Sequence, residues 1–308
     1  MAGPIPAPDY VLRQHSASVQ AIALRTDNAL LYSGDATGHL IIWNLDQRRP
    51  AFHRRLHSDE AGVICLLLLN GERLVSQGRD GLVQGWALNE QHAPAGIALC
   101  GKKTAPSVDL LAHPDTEASN IVLRSVQDPK WQITFDQGAA GLKHGMCMHI
   151  SLFEHAEAIY VISAYEDGMV AIWDAAKPLQ PCLCQRLHKE PIMALALNPD
   201  NTGGICTSAD DQVVLFTLDL SRMAFSGITR VTMSSPGCSG VAIRADQRIF
   251  ALASWTGEVS VYHMRKRRCL AVLQYHRELA TCVLFNTETQ QIVTAAKDGA
   301  IAMWVPSE

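Results

Sequence analysis

The sequence predicts an all-β chain of seven four-stranded blades, a β-propeller. Three observations carry that reading. An aromatic residue closes a short alternating segment at a period near 43 residues. Each period holds two turn signals between apolar runs. No stretch keeps a capped helical periodicity over about 12 residues.

The closing aromatics are Trp43 (HLIIW), Trp86 (LVQGW), Trp173 (MVAIW), Phe216 (VVLF), Tyr262 (EVSVY) and Trp304 (AIAMW). Trp43 to Trp86 and Trp173 to Phe216 each span 43 residues, Phe216 to Tyr262 spans 46, and Tyr262 to Trp304 spans 42. The 87 residues between Trp86 and Trp173 are two periods with one anchor lost, which makes seven units. Propeller blades of this kind repeat at about 40–45 residues. The fifth unit shows the internal order: the apolar run PIMALAL, a turn at Asn198-Pro199-Asp200, a small-residue run, a second turn, and a strand ending on Phe216.

A second pattern keeps the same period. A histidine lies 22 or 23 residues before an aspartate, a hydroxyl lies four before it, and the aromatic follows six after. The sets are His57, Ser76, Asp80 and Trp86; His144, Ser163, Asp167 and Trp173; and His276, Thr294, Asp298 and Trp304. These residue types suit a buried hydrogen-bond chain, in which the carboxylate accepts from His, His reaches the hydroxyl, and the hydroxyl accepts from the indole N–H. The same types build hydrolytic triads. An enzyme needs one such site, and recurrence at the blade period marks the sets as structural. Blade one has His15 but Thr37 at the aspartate position. Blade five has His188 with Asp210 or Asp211, and Phe216 for Trp. Blade six has Thr256 and no His. Blade three, roughly 93 to 136, shows no set, with Trp131 or Phe135 as its anchor. Residues 9 to 14 match the segments that precede the other histidines and are expected to complete blade seven, so that 1–308 forms one propeller without a long open sheet edge.

Composition narrows the function classes. The 308 residues are 48% hydrophobic and 18% charged with a net charge of −4, without the basic excess of a dedicated nucleic-acid binder. The nine cysteines are scattered and lack zinc spacing, as expected of reduced thiols in a nuclear or cytosolic protein. The segment Met1 to Tyr10 has no apolar core of a secretory signal, and GVICLLLL at 62–69 is too short to cross a bilayer. The expectation is no cofactor, no metal, no membrane and no direct nucleic-acid contact.

Three further features bear on chemistry. Gly96 to Thr104 approaches a phosphate-binding loop, but Lys103 stands where a magnesium-holding hydroxyl belongs, and turn chemistry follows instead of a helix. Arg265-Lys266-Arg267-Arg268 reads either as a charged turn or as a contact for an acidic partner or nuclear import, and the arginines at 48, 49, 54 and 55 share that ambiguity. The residues just before each turn aspartate, Arg79, Glu166 and Lys297, with Trp255 in blade six, are candidates for partner binding, because a rigid scaffold presents its loops and Trp and Arg are frequent hot spots. Solvated loop ends are the plainer reading of each.

All seven units resemble WD-repeat proteins, the fold of G-protein β subunits. The strings YVLR (10–13), LVSQGRDG (74–81), AYEDGMVAIWD (164–174), HKEPIM (188–193) and AAKDGAIAMW (295–304) are similar to the ASTRA-associated protein 1 family. That resemblance implies a non-catalytic subunit of the ASTRA chromatin-remodelling assembly. It further implies work with the TTT co-chaperone that matures phosphatidylinositol-3-kinase-like kinases, as a monomeric member of a hetero-complex in nucleus and cytoplasm. The alternatives are a generic adaptor, G-protein-β-like or a ubiquitin-ligase substrate receptor, and a propeller enzyme with a channel site. The nearly all-apolar inner strands speak against the last.

Overall fold

In the computed structural model the described residues are 6–25, 27, 29–69, 73–89, 94–97 (backbone only), 110–114, 120–125, 128 and 130–305. Every regular element among them is a β-strand, and the strands make the seven sheets of a seven-bladed β-propeller. The chain divides into two compact units, residues 1–100 with 248–308, and residues 101–247.

In the first unit, blade one is Val19–Leu24, Leu30–Asp35, His39–Asn44 and Arg49–Arg55 in antiparallel order. Blade two is Cys65–Leu69, Arg73–Gln77, Val83–Leu88 and Pro94–Ile97. Blade six contributes Ile249–Ser254, Val259–His263 and Cys269–Leu273. Blade seven is Ala280–Phe285, Ile292–Ala296 and Ala300–Trp304, and its outer strand is Tyr10–Arg13 from the other end of the chain. Tyr10 pairs with Met303 and Arg13 with Ala300, and Leu12 is buried beside Ile301 and Met303.

In the second unit, blade three has three strands, Leu110–Pro114, Ile121–Ser125 and Gln132–Phe135. Its anchor is Phe135, fully buried with its ring 5.6 Å from Trp173, whereas Trp131 is 41% exposed. The segment after Phe135 turns at Asp136–Gly141 instead of forming an outer strand. Blade four is Cys147–His155, Ala158–Tyr165, Met169–Asp174 and Leu183–Arg186; blade five is Ile192–Leu197, Gly203–Ser208, Gln212–Asp219 and Ala224–Thr232. Cys238–Ile243, the first strand of blade six in chain order, also lies in this unit.

The burial patterns follow the blade order. Second strands such as Leu30–Asp35, Gly203–Ser208 and Ile249–Ser254 are buried at every residue, so they read as continuous small and apolar runs. Outer strands are the most open: Arg49–Arg55 buries no residue fully. The glycine after the turn acid, or after the threonine that replaces it in blades one and six, has a geometric duty. Gly38, Gly168, Gly257 and Gly299 have positive φ, and a Cβ on them would meet the backbone carbonyl of His57, His188, His276 and His15 respectively, at 2.1 to 2.9 Å. The Gly38 carbonyl in turn accepts from Leu56 N–H and His57 N–H. Each such turn therefore seats against the histidine that opens the next unit.

Deleting residues 1–15 removes four paired residues, buried Leu12 and the His15 ring from blade seven and blade one. Loss of Leu12 burial alone costs about 2 kcal/mol. The truncated chain is expected to melt well below the full-length chain, and equal melting temperatures in a thermal scan would contradict the strand's role.

Candidate functional site

The four tryptophan-closed blades share one buried device. The indole N–H of Trp43, Trp86, Trp173 and Trp304 donates to the hydroxyl of Ser33, Ser76, Ser163 and Thr294, at 2.7, 2.9, 3.1 and 3.0 Å. What lies beyond the hydroxyl differs from blade to blade. Blade seven carries the whole chain, with His276 Nε2 2.8 Å from Thr294 Oγ1 and Nδ1 3.3 Å from Asp298. Blade one is also complete, although the sequence pattern reads it as degenerate. His15 lies 2.7 Å from Ser33 Oγ and 2.8 Å from Asp35, which replaces the carboxylate missing at Thr37 from two positions earlier. Asp35 further accepts from the Thr37 hydroxyl and from the N–H groups of Thr37 and His39. Burial works to raise its pKa, but these hydrogen bonds, His15 first, hold it at about 2.

Blades two and four depart from the expected chain. His57 reaches Ser76 at 2.9 Å, but its Nδ1 has no hydrogen-bond partner, and exposed Asp80 instead accepts from Leu82 N–H. In blade four His144 donates to Asp167 at 2.9 Å, yet its Nε2 lies 3.4 Å from the Cys184 thiol and is not bonded to Ser163. The cause is Tyr165, fully buried, whose hydroxyl bonds Ser163 Oγ at 3.0 Å and whose ring lies 5.3 Å from the His144 ring. The equivalent position two before the turn acid holds Asp35, Gly78, Ser208, Ser254 and Ala296 in the other sets, all smaller. In blade five Cys206 and Phe216 replace hydroxyl and indole together. His188 Nε2 then bonds the Cys206 carbonyl at 3.3 Å, while Asp210 stays 3.6 Å from Nδ1.

The candidate partner-binding residues sit where these turns leave the sheet. Arg79, Glu166, Trp255 and Lys297 are all exposed. Arg79 N–H donates to the Ala61 carbonyl, Glu166 to Met146 and Lys297 to Leu279, at 2.9 to 3.0 Å, and Ala36 and Ala209 make the same bond in blades one and five. A hydrogen-bonded backbone thus presents exposed side chains. Arg79, Trp255 and Lys297 belong to the first unit and Glu166 to the second. The sequence pattern overlooks the apolar neighbours of these turns, Leu82 at 54% and Met146 at 61% exposed. Their signal is an apolar residue inside an otherwise polar turn. The phosphate-loop-like stretch lies outside the described residues from position 98 onward. Among the described residues, no cluster of three or more His, Cys, Asp or Glu side chains is arranged to hold a metal ion. Among them, too, no helix is long and apolar enough to cross a membrane.

The seven sheets and the indole–hydroxyl pairs define a WD-repeat β-propeller. The model of the WD domain, G-beta repeat, matches residues 7–44 and 267–304. The β-propeller domain of Cps50 (Swd1) from Myceliophteria thermophila superposes with a TM-score of 0.80, covering 98% of this chain and all of that one, at 14% identity; it shows the fold alone. ASTRA-associated protein 1 of Schizosaccharomyces japonicus is 25% identical over 97% of this chain and 99% of its own length. Guanine nucleotide-binding protein subunit beta-like protein 1 of Mus musculus is 26% identical over 98% and 96%. Over nearly its full length the chain is thus similar to ASTRA-associated protein 1 and its beta-like counterpart, and it carries the WD repeat.

Two measurements test the geometry. Asp35→Ala strips a buried acceptor from His15, Thr37 and His39 and is expected to cost about 2–4 kcal/mol, whereas Asp80→Ala costs under about 1 kcal/mol. Chemical denaturation of both variants checks the order, which the sequence pattern alone would reverse. The second test is pH. Burial lowers the pKa of His57, His188 and His276, with Asp80, Asp210 and Asp298 opposing. The unfolded chain then binds more protons below the unperturbed value of about 6.5, so this stability is present above that pH and is lost as pH falls. The melting temperature is expected to drop between about pH 7.5 and 5.5, and less steeply in His57→Gln; a flat profile would contradict it.

Proposed function

We propose that this protein is a non-catalytic scaffold subunit of an ASTRA-type assembly. In this reading it works with the TTT co-chaperone and phosphatidylinositol-3-kinase-like kinases, as one copy in a hetero-complex of nucleus and cytoplasm. One observation carries the reading: near full-length similarity to proteins named for association with ASTRA. The chemistry of the chain supports it. The His–hydroxyl–acid sets recur, and the hydroxyls of Ser33, Ser76, Ser163 and Thr294 belong to residues with no exposed surface, closed to any substrate. What remains exposed at the turns is mixed charge with an aromatic, which suits a protein partner. A net charge of −4 gives little counterion release, so contact with chromatin would pass through other subunits.

The second reading, a generic WD-repeat adaptor such as a G-protein-β-like or ubiquitin-ligase receptor, rests on the fold alone. Affinity purification from native extract separates the two. The expected result is recovery of ASTRA and TTT subunits with client kinases; recovery of none of them leaves the generic adaptor. Arg79→Glu, Lys297→Glu and Trp255→Ala together are expected to lower co-purification by about tenfold, as loss of interface hot spots does, with the melting temperature within about 2 °C of the parent. Unchanged recovery would remove these turns from the docking face.

A further inference from the structure

The turn Arg265–Arg268 of blade six is exposed at all four cations. None of them makes an ion pair with a described residue. The other basic segment behaves differently. Arg48 lies 3.4 Å from Asp9 with its guanidinium over the Tyr10 ring, Arg55 pairs with Asp59 at 2.5 Å, Arg54 lies over the Trp86 ring, and Arg49 bonds Gln47. Those cations are engaged within the molecule, and the blade-six cations make no such contact with a described residue.

The turn is also built. His263 Nδ1 accepts from the N–H groups of Arg265 and Lys266 at 3.1 and 3.2 Å. Arg267 N–H donates to the His263 carbonyl, His263 N–H to the Arg268 carbonyl, and Met264 N–H to the Arg248 carbonyl. Arg267 takes a left-handed conformation, φ 55°, that completes the reversal. The pairing then skips a residue between Val261 and Tyr262, whose partners are Ala271 and Cys269. The residue skipped is Leu270, 46% exposed, beside exposed Cys269. A bulge at a sheet edge re-aims a side chain and blocks strand addition. Four exposed cations that pair with no described residue and one outward leucine thus lie together on a fixed turn.

We infer that this turn is a docking site for an acidic segment of a partner protein, one that sets carboxylates on Arg265–Arg268 and an apolar side chain on Leu270. Charge complementarity selects an anionic partner. The leucine contact selects a peptide over a phosphate backbone, which offers no apolar group there. A single exposed leucine gives too little apolar area to hold a membrane.

The full-length chain is titrated into a fluorescein-labelled 16-residue peptide of alternating Glu, Asp and Leu, read by fluorescence anisotropy at low and moderate salt. Saturable binding that weakens with salt is expected. Changing all four cations to Gln is expected to weaken it at least about tenfold, since each exposed pair contributes a factor of about two. Leu270→Ser weakens it about threefold, in line with the loss of a small apolar contact, and Arg48→Gln with Arg49→Gln leaves it unchanged. Melting temperatures of the variants close to the parent keep the comparison fair, because every changed side chain is exposed. No saturable binding, or equal binding by the four-fold Gln variant, overturns the proposal. So does tighter binding of a duplex DNA or a phosphatidylserine vesicle that is insensitive to Leu270→Ser, which would assign the turn to nucleic acid or to lipid.

Discussion

Burying an indole N–H obliges a blade to supply an acceptor, and most of this structure follows from how each blade meets that need. An unpaired donor in the interior costs about 1–3 kcal/mol. Ser33, Ser76, Ser163 and Thr294 meet it directly. Each hydroxyl has one proton to place, and the histidine or a strand carbonyl receives it. The histidine in turn fixes the turn, because its own carbonyl lies against the glycine of the preceding turn. Where the indole is gone, as at Phe216, the hydroxyl is gone as well: Cys206 stands in its place, and donor and acceptor are absent together. That paired loss avoids an orphaned indole donor, although His188 Nδ1 stays without a hydrogen-bond partner, and Cys206, Val214 and Phe216 pack in one core cluster.

One position governs how far the chain extends beyond the hydroxyl. Two residues before the turn acid, Asp35 takes over the carboxylate's task, and Tyr165 diverts His144 to Cys184. At Gly78 no side chain intervenes; a Cβ there would meet Asp80 Oδ1 at 2.5 Å and His57 Nδ1 at 2.8 Å. His57 nevertheless keeps an unpartnered Nδ1, the least satisfied histidine of the tryptophan-closed blades. The Cys184 thiol that replaces a hydroxyl beside His144 is held protonated by burial and by the Asp167 charge, so an Asp–His–Cys alignment that resembles a nucleophile's serves here as a weak hydrogen bond.

These details set what was legible in the sequence. The period of the closing aromatics is a one-dimensional signal and revealed the sheets, because each anchor must fall at the same depth of its blade. The set of blade seven was legible for the same reason. Asp35 was not, because the spacing rule looked only at position 37, while a carboxylate two residues earlier on the same strand reaches the same imidazole. Tyr165 was visible as a letter, but its effect depends on ring volume in a buried slot, which spacing does not encode. Blade three hid its anchor because Phe135 has no N–H to match with a hydroxyl, and because exposed Trp131 offered a more conspicuous aromatic.

The strand Val259–His263 joins two turns that are fixed in different ways within one blade. At one end it follows the turn of Trp255 and Gly257, where Gly257 seats on His276 and the backbone is fixed by its neighbour. At the other end it runs into Arg265–Arg268, where the fixing group is the side chain of His263 itself. Five residues at about 3.3 Å each separate the two ends by about 17 Å, beyond a Debye length at physiological salt. Charges placed at one end are therefore screened from the other. Neither end belongs to the hydrogen-bond chains that hold the blades; Gly257 fixes the backbone at one and the His263 side chain fixes it at the other.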